Sequence, residues 1–218
     1  MVERLVNIYP RFERFWHWMQ VILILVLMFT GAGLHGLHGL IPFGGAVMLH
    51  TLAALALVIL WIFAIFWHLT TGTWRHYMPT TQGLFQVARF YSYGIFKGEH
   101  HPYRKAYWRK HNPMQALTYL ALKLVLFPAI WLTGIAYLTY NLWERQPNAP
   151  FILEAVANLH LLVAYLIAAF VIVHVYLLTV GGSFVKHVKP MVTGFDTVDL
   201  TPEEEAYLRK DEPRRIRP

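Results

Sequence analysis

The chain has 218 residues and no cysteine. That excludes disulfides, cysteine-ligated zinc, iron–sulfur clusters and a haem attached through thioether bonds. Charge is scarce as well. Asp, Glu, Lys and Arg make up 14% of the residues, well below the ~25% of a soluble domain. The chain is instead 56% hydrophobic and 16% aromatic. The apolar stretches do not alternate with polar residues, which argues against barrel strands. Twelve histidines remain as the main chemical resource.

Four apolar runs stand out, at about 15–34, 46–68, 114–140 and 155–180. Each provides the roughly 20 residues needed to cross an apolar layer of about 30 Å. Leu, Ala, Ile and Phe dominate them, which suits helices in lipid. The first run is too long for a signal-peptide core and has no A-x-A exit, so it reads as retained. The expected fold class is all-α: an integral membrane four-helix bundle, with residues 1–218 forming a single domain. Its polar parts are a loop at 69–113 and a tail at 181–218.

Lys and Arg set the expected orientation. Residues 1–14 hold three, 69–113 hold seven and 181–218 hold seven, whereas 35–45 and 141–153 hold only Arg145 between them. The positive-inside rule places both termini and the long loop in the cytoplasm. The net charge of +7 is then a consequence of topology and gives no support to a nucleic-acid partner. Residues 81–96, "TQGLFQVARFYSYGIF", suit a short helix along the lipid surface. The basic stretch 97–111 suits anionic headgroups. The tail reads as flexible or partner-dependent, with a capping box from Thr201 to Glu204 able to start a short helix. One short echo is visible: "FTGAG" at 29–33 and "LTGIA" at 132–136, both toward the periplasmic end of their helices.

The histidines can be placed by depth. His160 and His174, on the fourth run, are about 21 Å apart along the axis and about 40° from sharing a face. His50 enters the second run near its outer end. His17 enters the first near its inner end. This gives two levels, His50 with His160 outside and His17 with His174 inside. A single apolar-face histidine is most simply explained by a hydrogen bond to a hydroxyl or a carbonyl. Four at matched depths point instead to two haems, each with two axial histidines. His68 is the rival to His17, but it lies about 27 Å from His50 along the helix, which matches the 21 Å spacing less well. It otherwise faces the cytoplasmic interface, near a quinone.

Other residues in the runs carry weaker signals. Gly31 and Gly134 leave room for a porphyrin or for close helix packing. Pro128 should kink the third helix. Lys123 lies close enough to the cytoplasmic side to snorkel. His35 and His38, at the outer edge, read as solvent-exposed or as a docking surface.

The combination of "RFERFWHW" at 11–18, "TGAG" at 30–33, His50, "KHNPMQALTYLALKLVLFPAIWLTG" at 110–134, the His160/His174 pair and "HVKPMVTGFD" at 187–196 resembles the membrane cytochrome b family. That family includes formate dehydrogenase gamma subunits, thiosulfate reductase cytochrome b subunits and hydrogenase b-type cytochromes. The resemblance covers nearly the whole chain. It implies two non-covalent b haems held by His50 with His160 and by His17 with His174. It implies the bacterial inner membrane, a quinone or quinol substrate, and a redox partner subunit on the periplasmic side. Such partners are of the iron–sulfur, molybdoenzyme or multihaem cytochrome c type. Asn112 and Gln115 match the family motif that contributes to an inner quinone site.

On this reading the chain is an electron-transfer subunit rather than a complete enzyme. The inner quinone site would exchange protons with the cytoplasm, with Arg14, Tyr107 and His68 as nearby polar candidates. The outer haem would meet the partner under His35, His38 and the 141–153 loop. Two other classes differ in kind. One is a self-contained di-haem quinone reductase or superoxide oxidase, which the poorly charged outer loops disfavour. The other is a haem-free anchor or transporter.

Overall fold

The computed structural model describes residues 2–100, 102–104, 106–179 and 183–217. The expected end of the fourth span at Val180 and start of the tail at 181 lie outside these residues. Among the described residues, four helices are long and apolar enough to cross a membrane: Arg11–Leu34, Phe43–Thr71, Pro113–Leu138 and Ala149–Leu178. These are the four expected spans, and the chain is a helical membrane protein. Side chains such as Ile22, Ile59, Phe66, Leu132, Leu162 and Ile172 stand exposed along them. In water that would be costly, whereas in lipid it costs nothing.

The helix ends differ from the sequence reading for local reasons. After strand β1 (Val2–Asn7), α1 (Arg11–Leu34) begins four residues ahead of the apolar run. Its first turn is polar, yet Glu13 is buried there. Helix α2 (Phe43–Thr71) follows Pro42 and stops at Gly72, whose φ of +72° belongs to the left-handed region that glycine enters without strain. A 3-10 turn (Thr73–Tyr77), α3 (Leu84–Ser92) and a second 3-10 turn (Gly94–Lys97) form the long loop. Helix α3 is the short helix expected within 81–96.

The third span has three parts. Helix α4 (Pro113–Ala121) passes through a π turn (Leu122–Leu126) into α5 (Phe127–Leu138). Pro128 has no N–H to give, and its ring would collide with the carbonyl four residues earlier. The wider turn immediately ahead of it absorbs that mismatch, so Lys123 lies in the π turn. Helix α6 (Tyr140–Trp143) and α7 (Ala149–Leu178) follow. Then come α8 (Phe184–Thr193), β2 (Phe195–Leu200), α9 (Pro202–Asp211) and β3 (Ile216–Arg217).

The chain divides into two compact units, Met1–Leu117 with Leu177–Pro218, and Thr118–Tyr176. In the first, α1 and α2 form an antiparallel pair. Its register is fixed by Thr30 against His50, by a 2.6 Å bond from Trp61 Nε1 to Gln20 Oε1, and by Phe12 against Trp67 with ring centroids 5.0 Å apart. In the second, Thr133 against His160 and Tyr119 against Phe170 set an antiparallel register between the third span and α7.

The first unit also holds a small sheet in the order β2-β1-β3, all antiparallel, with Val2 opposite Leu200 and Asn7 opposite Phe195. This corrects the reading of the tail as flexible. Val6, Ile8, Tyr107, Val198, Leu200 and Leu208 make a core between the N-terminus, the loop and the tail. Arg4–Glu205 and Arg104–Glu204, both at 3.0 Å, tie its rim. The strands are too short, with one or two inward residues each, for alternation to show in the sequence. The Thr201–Glu204 capping box is present as expected. Gly194 ends α8 at φ +90°, and a Cβ there would come within 2.8 Å of the Tyr9 carbonyl oxygen. The Gly194 carbonyl accepts from the N–H groups of Ile8 and Tyr9. Those bonds dock the C-terminal segment onto the entrance of α1.

Candidate functional site

His50 and His160 each meet a threonine hydroxyl through Nδ1, each within its own unit, and His50 also bonds the Leu27 backbone. Thr30 Oγ1 lies 2.7 Å from the Val26 carbonyl oxygen and 2.9 Å from His50 Nδ1. Thr133 Oγ1 lies 2.7 Å from the Ala129 carbonyl oxygen and 2.9 Å from His160 Nδ1. A hydroxyl has one proton, and a carbonyl oxygen can only accept. The threonine proton therefore goes to the carbonyl of its own helix. The histidine Nδ1–H donates to the threonine oxygen. Nε2 is then the unprotonated nitrogen of each ring, the one whose lone pair is of the kind that ligates a metal.

The glycine after each threonine completes the arrangement. A Cβ on Gly31 would sit 3.5 Å from His50 Cε1, and one on Gly134 would sit 3.6 Å from His160 Cε1. Glycine lets each imidazole lie against the neighbouring helix with its Nε2 edge turned away from the threonine. Thr30 and Thr133 are nearly fully buried. The sequence reading missed their role. The signal was the "TG" echo, whose first residue went unread.

The other histidines differ. His174, on α7, stacks on Phe170 with centroids 5.6 Å apart and planes 24° apart. His17, on α1, is half-buried and meets the Trp18 ring edge-on. His68 is 7% exposed, and its Nδ1–H donates to the Ala64 carbonyl at 2.5 Å. Its ring is enclosed by Trp16, Trp67 and Tyr77, with centroids 5.3 to 5.4 Å away. Trp16, next to His17, reaches His68 diagonally, but the register of the pair sets Phe12 against Trp67, so His68 lies about five residues, or about 7 Å, from the level of His17 along the axis.

Asn112 and Gln115 form a reciprocal cap on α4. Gln115 N–H donates to Asn112 Oδ1 at 2.9 Å, and Asn112 N–H donates to Gln115 Oε1 at 3.1 Å. Asn112 Nδ2 also donates to the Tyr91 hydroxyl at 3.1 Å. Asn112 is 4% exposed, whereas Gln115 is half-buried and enters the cap through Oε1. Tyr107 belongs to the extramembrane core and donates to Glu212 at 2.7 Å. Burial and that carboxylate push its phenol well above the usual range. Arg14 donates to the Val192 carbonyl at the end of α8. His38 folds back instead of facing outward. It stacks on Phe29 with centroids 4.4 Å apart, and its Nε2–H donates to the Phe29 carbonyl at 2.8 Å.

One buried charge pair was not foreseen. Lys110 Nζ meets both Glu13 oxygens at 2.9 and 3.0 Å, and both side chains are almost fully buried. Burial lowers the Lys110 ammonium pKa, and Glu13 opposes that shift. The pair clamps the start of α1 to the segment just before Asn112.

The residues fit haem b: imidazoles on apolar helices, two of them, His50 and His160, with Nδ1 fixed by a threonine. Comparison with known proteins agrees. Residues 8–194 match the family model described as prokaryotic cytochrome b561. The Escherichia coli (strain K12) protein named "Putative cytochrome YdhU" is 27% identical over 200 residues, covering 87% of this chain and 74% of that protein. No solved structure matches the chain. The helical membrane fold, the histidine chemistry and the extent of the family match lead to one identification: the chain belongs to the prokaryotic cytochrome b561 family, membrane b-type cytochromes of electron transfer.

Proposed function

We propose that the chain is a di-haem electron-transfer subunit that carries electrons across the membrane between a quinone or quinol pool and a redox partner subunit on the periplasmic side. In this reading His50 and His160 hold an outer haem b, and His17 and His174 hold an inner one. Both termini and the 69–113 loop are cytoplasmic, and the membrane is the bacterial inner membrane. The observation that carries the reading is the threonine–glycine–histidine arrangement built twice, which fixes Nδ1 of two transmembrane histidines and gives both the tautomer a haem ligand needs. His17 is favoured over His68 for the inner site, because three aromatic rings close around His68.

Haem b supplies one-electron chemistry between its ferric and ferrous forms. The protein supplies orientation, an apolar surround and the proton path. A quinol headgroup at the cytoplasmic face needs a hydrogen-bond donor at the membrane boundary. Gln115 provides one through Nε2, and the cap with Asn112 holds it in place. His68 lies in the same unit, at the cytoplasmic end of α2. The partner is a subunit of iron–sulfur, molybdoenzyme or multihaem cytochrome c type, meeting the outer haem.

The test is quinol reduction of the purified protein followed at the haem α band. Quinol should reduce both haems. Gln115→Ala should slow that reduction about tenfold or more while both haems stay bound, the loss expected when a bond of about 1.5 kcal/mol to a reacting group is removed. Reduction of Gln115→Ala at the unsubstituted rate would move the quinone site away from α4.

A further inference from the structure

Thr30 and Thr133 do more than satisfy a buried nitrogen. Each is a single hydroxyl placed between a carbonyl of its own helix and an imidazole of the next. The distances agree within each pair of corresponding contacts: 2.7 Å to the carbonyl and 2.9 Å to Nδ1 in both. Each is followed by a glycine that admits the imidazole, with Cε1 at 3.5 and 3.6 Å from the missing Cβ. Two helices with little sequence in common beyond the "TG" pair arrive at the same geometry. Shared geometry at two histidines, one on α2 and one on α7, requires a shared demand on those histidines.

We propose that Thr30 and Thr133 are a matched pair of positioning residues that fix the Nδ1–H form and ring plane of His50 and His160, and so set the properties of the one haem these two histidines share. The inference rests on the assignment of His50 and His160 as the ligands of one haem. The physical effect has two parts. A hydrogen bond from Nδ1–H to an oxygen makes Nε2 a stronger donor. A stronger donor favours ferric over ferrous iron and lowers the reduction potential. The same bond also pins each ring about its Cβ–Cγ axis. His174, stacked on Phe170, is oriented by an aromatic face instead. The two haems are therefore tuned by different means.

The experiment compares Thr30→Val and Thr133→Val with Thr30→Ser and Thr133→Ser in the full chain. Valine keeps the volume and removes the hydroxyl, whereas serine keeps the hydroxyl. The readouts are haem per polypeptide, the potential of each haem by redox titration, and the low-temperature EPR g values of each ferric haem. Both valine variants should raise the potential of the same haem and move its g values, leaving the other haem unchanged. Both serine variants should match the unsubstituted protein. A valine variant that loses one haem while its serine counterpart keeps both also supports the inference. Unchanged potentials and g values in both valine variants, or shifts on different haems, would overturn it. So would loss of haem in the serine variants.

His50→Ala and His160→Ala separate the two levels of the account. If each keeps two haems, the ligand assignment fails and the inference fails with it. If each loses one and the valine variants are unmoved, the inference alone fails. Should the valine variants not accumulate, ENDOR on the unsubstituted protein decides. An exchangeable proton on Nδ1 of the outer ligands is expected, and its absence would contradict the proposal.

Discussion

His68 and His17 show how local enclosure adds to axial distance in the choice between two histidines. His68 has its Nδ1–H on the Ala64 carbonyl and its ring against Trp16, Trp67 and Tyr77, so a flat macrocycle would have to displace an aromatic cage to reach it. His17 is half-buried beside Trp18. His17→Ala is therefore expected to remove one haem, whereas His68→Ala keeps both, as read by haem per polypeptide. Loss of haem only in the His68 variant would reverse the assignment. At this scale the sequence was informative because histidines are rare on apolar helices and their spacing can be counted. It was silent on Thr30 and Thr133, because a threonine bonded to the carbonyl four residues back looks the same whether or not a histidine from another helix also reaches it.

At the scale of elements, the Lys110–Glu13 pair joins residues 97 apart in sequence, and no local pattern can announce such a contact. Removing one partner leaves a buried charge uncompensated, at a cost of about 3–5 kcal/mol. Lys110→Met should lower the thermal midpoint of the detergent-solubilised protein markedly. The double variant Lys110→Met with Glu13→Gln should recover most of the loss. An unaltered midpoint in the single variant would show that the pair is dispensable.

His76 carries a pH prediction. Its Nδ1–H donates to the Trp108 carbonyl at 2.9 Å. Burial, followed by the positive charge of Lys110, lowers its pKa to about 4. The folded form thus stays neutral where the unfolded chain takes up a proton, near its ordinary value of about 6.5. Stability of the extramembrane core should fall as pH drops from about 6.5 to 4, with no further loss from this group below that. His76→Asn should flatten the profile over that window, followed by hydrogen exchange of the sheet amides. The π turn before Pro128 is a third case. The sequence located the proline and the strain it imposes, and the structure shows the strain absorbed by widening the helix rather than by a break.

For the whole molecule, the four spans were legible because twenty apolar residues in a row have few other solutions. Their ends were less so, since α1 extends into a polar first turn at Arg11, and α7 starts at Ala149, ahead of Glu154, which breaks the apolar pattern. The sheet and its core were invisible for a different reason. Val6, Val198 and Leu208 come from opposite ends of the chain, and each contributes too little apolar surface to mark its own segment. The central claim is that this framework binds two haems at two levels, through His50 with His160 and His17 with His174. Haem extracted from purified protein and quantified against polypeptide tests it most directly. The account predicts two haem b per chain, both released by acid–acetone and both with a b-type α band on reduction. A ratio of one, reproducible in fully haem-supplied protein, would contradict it.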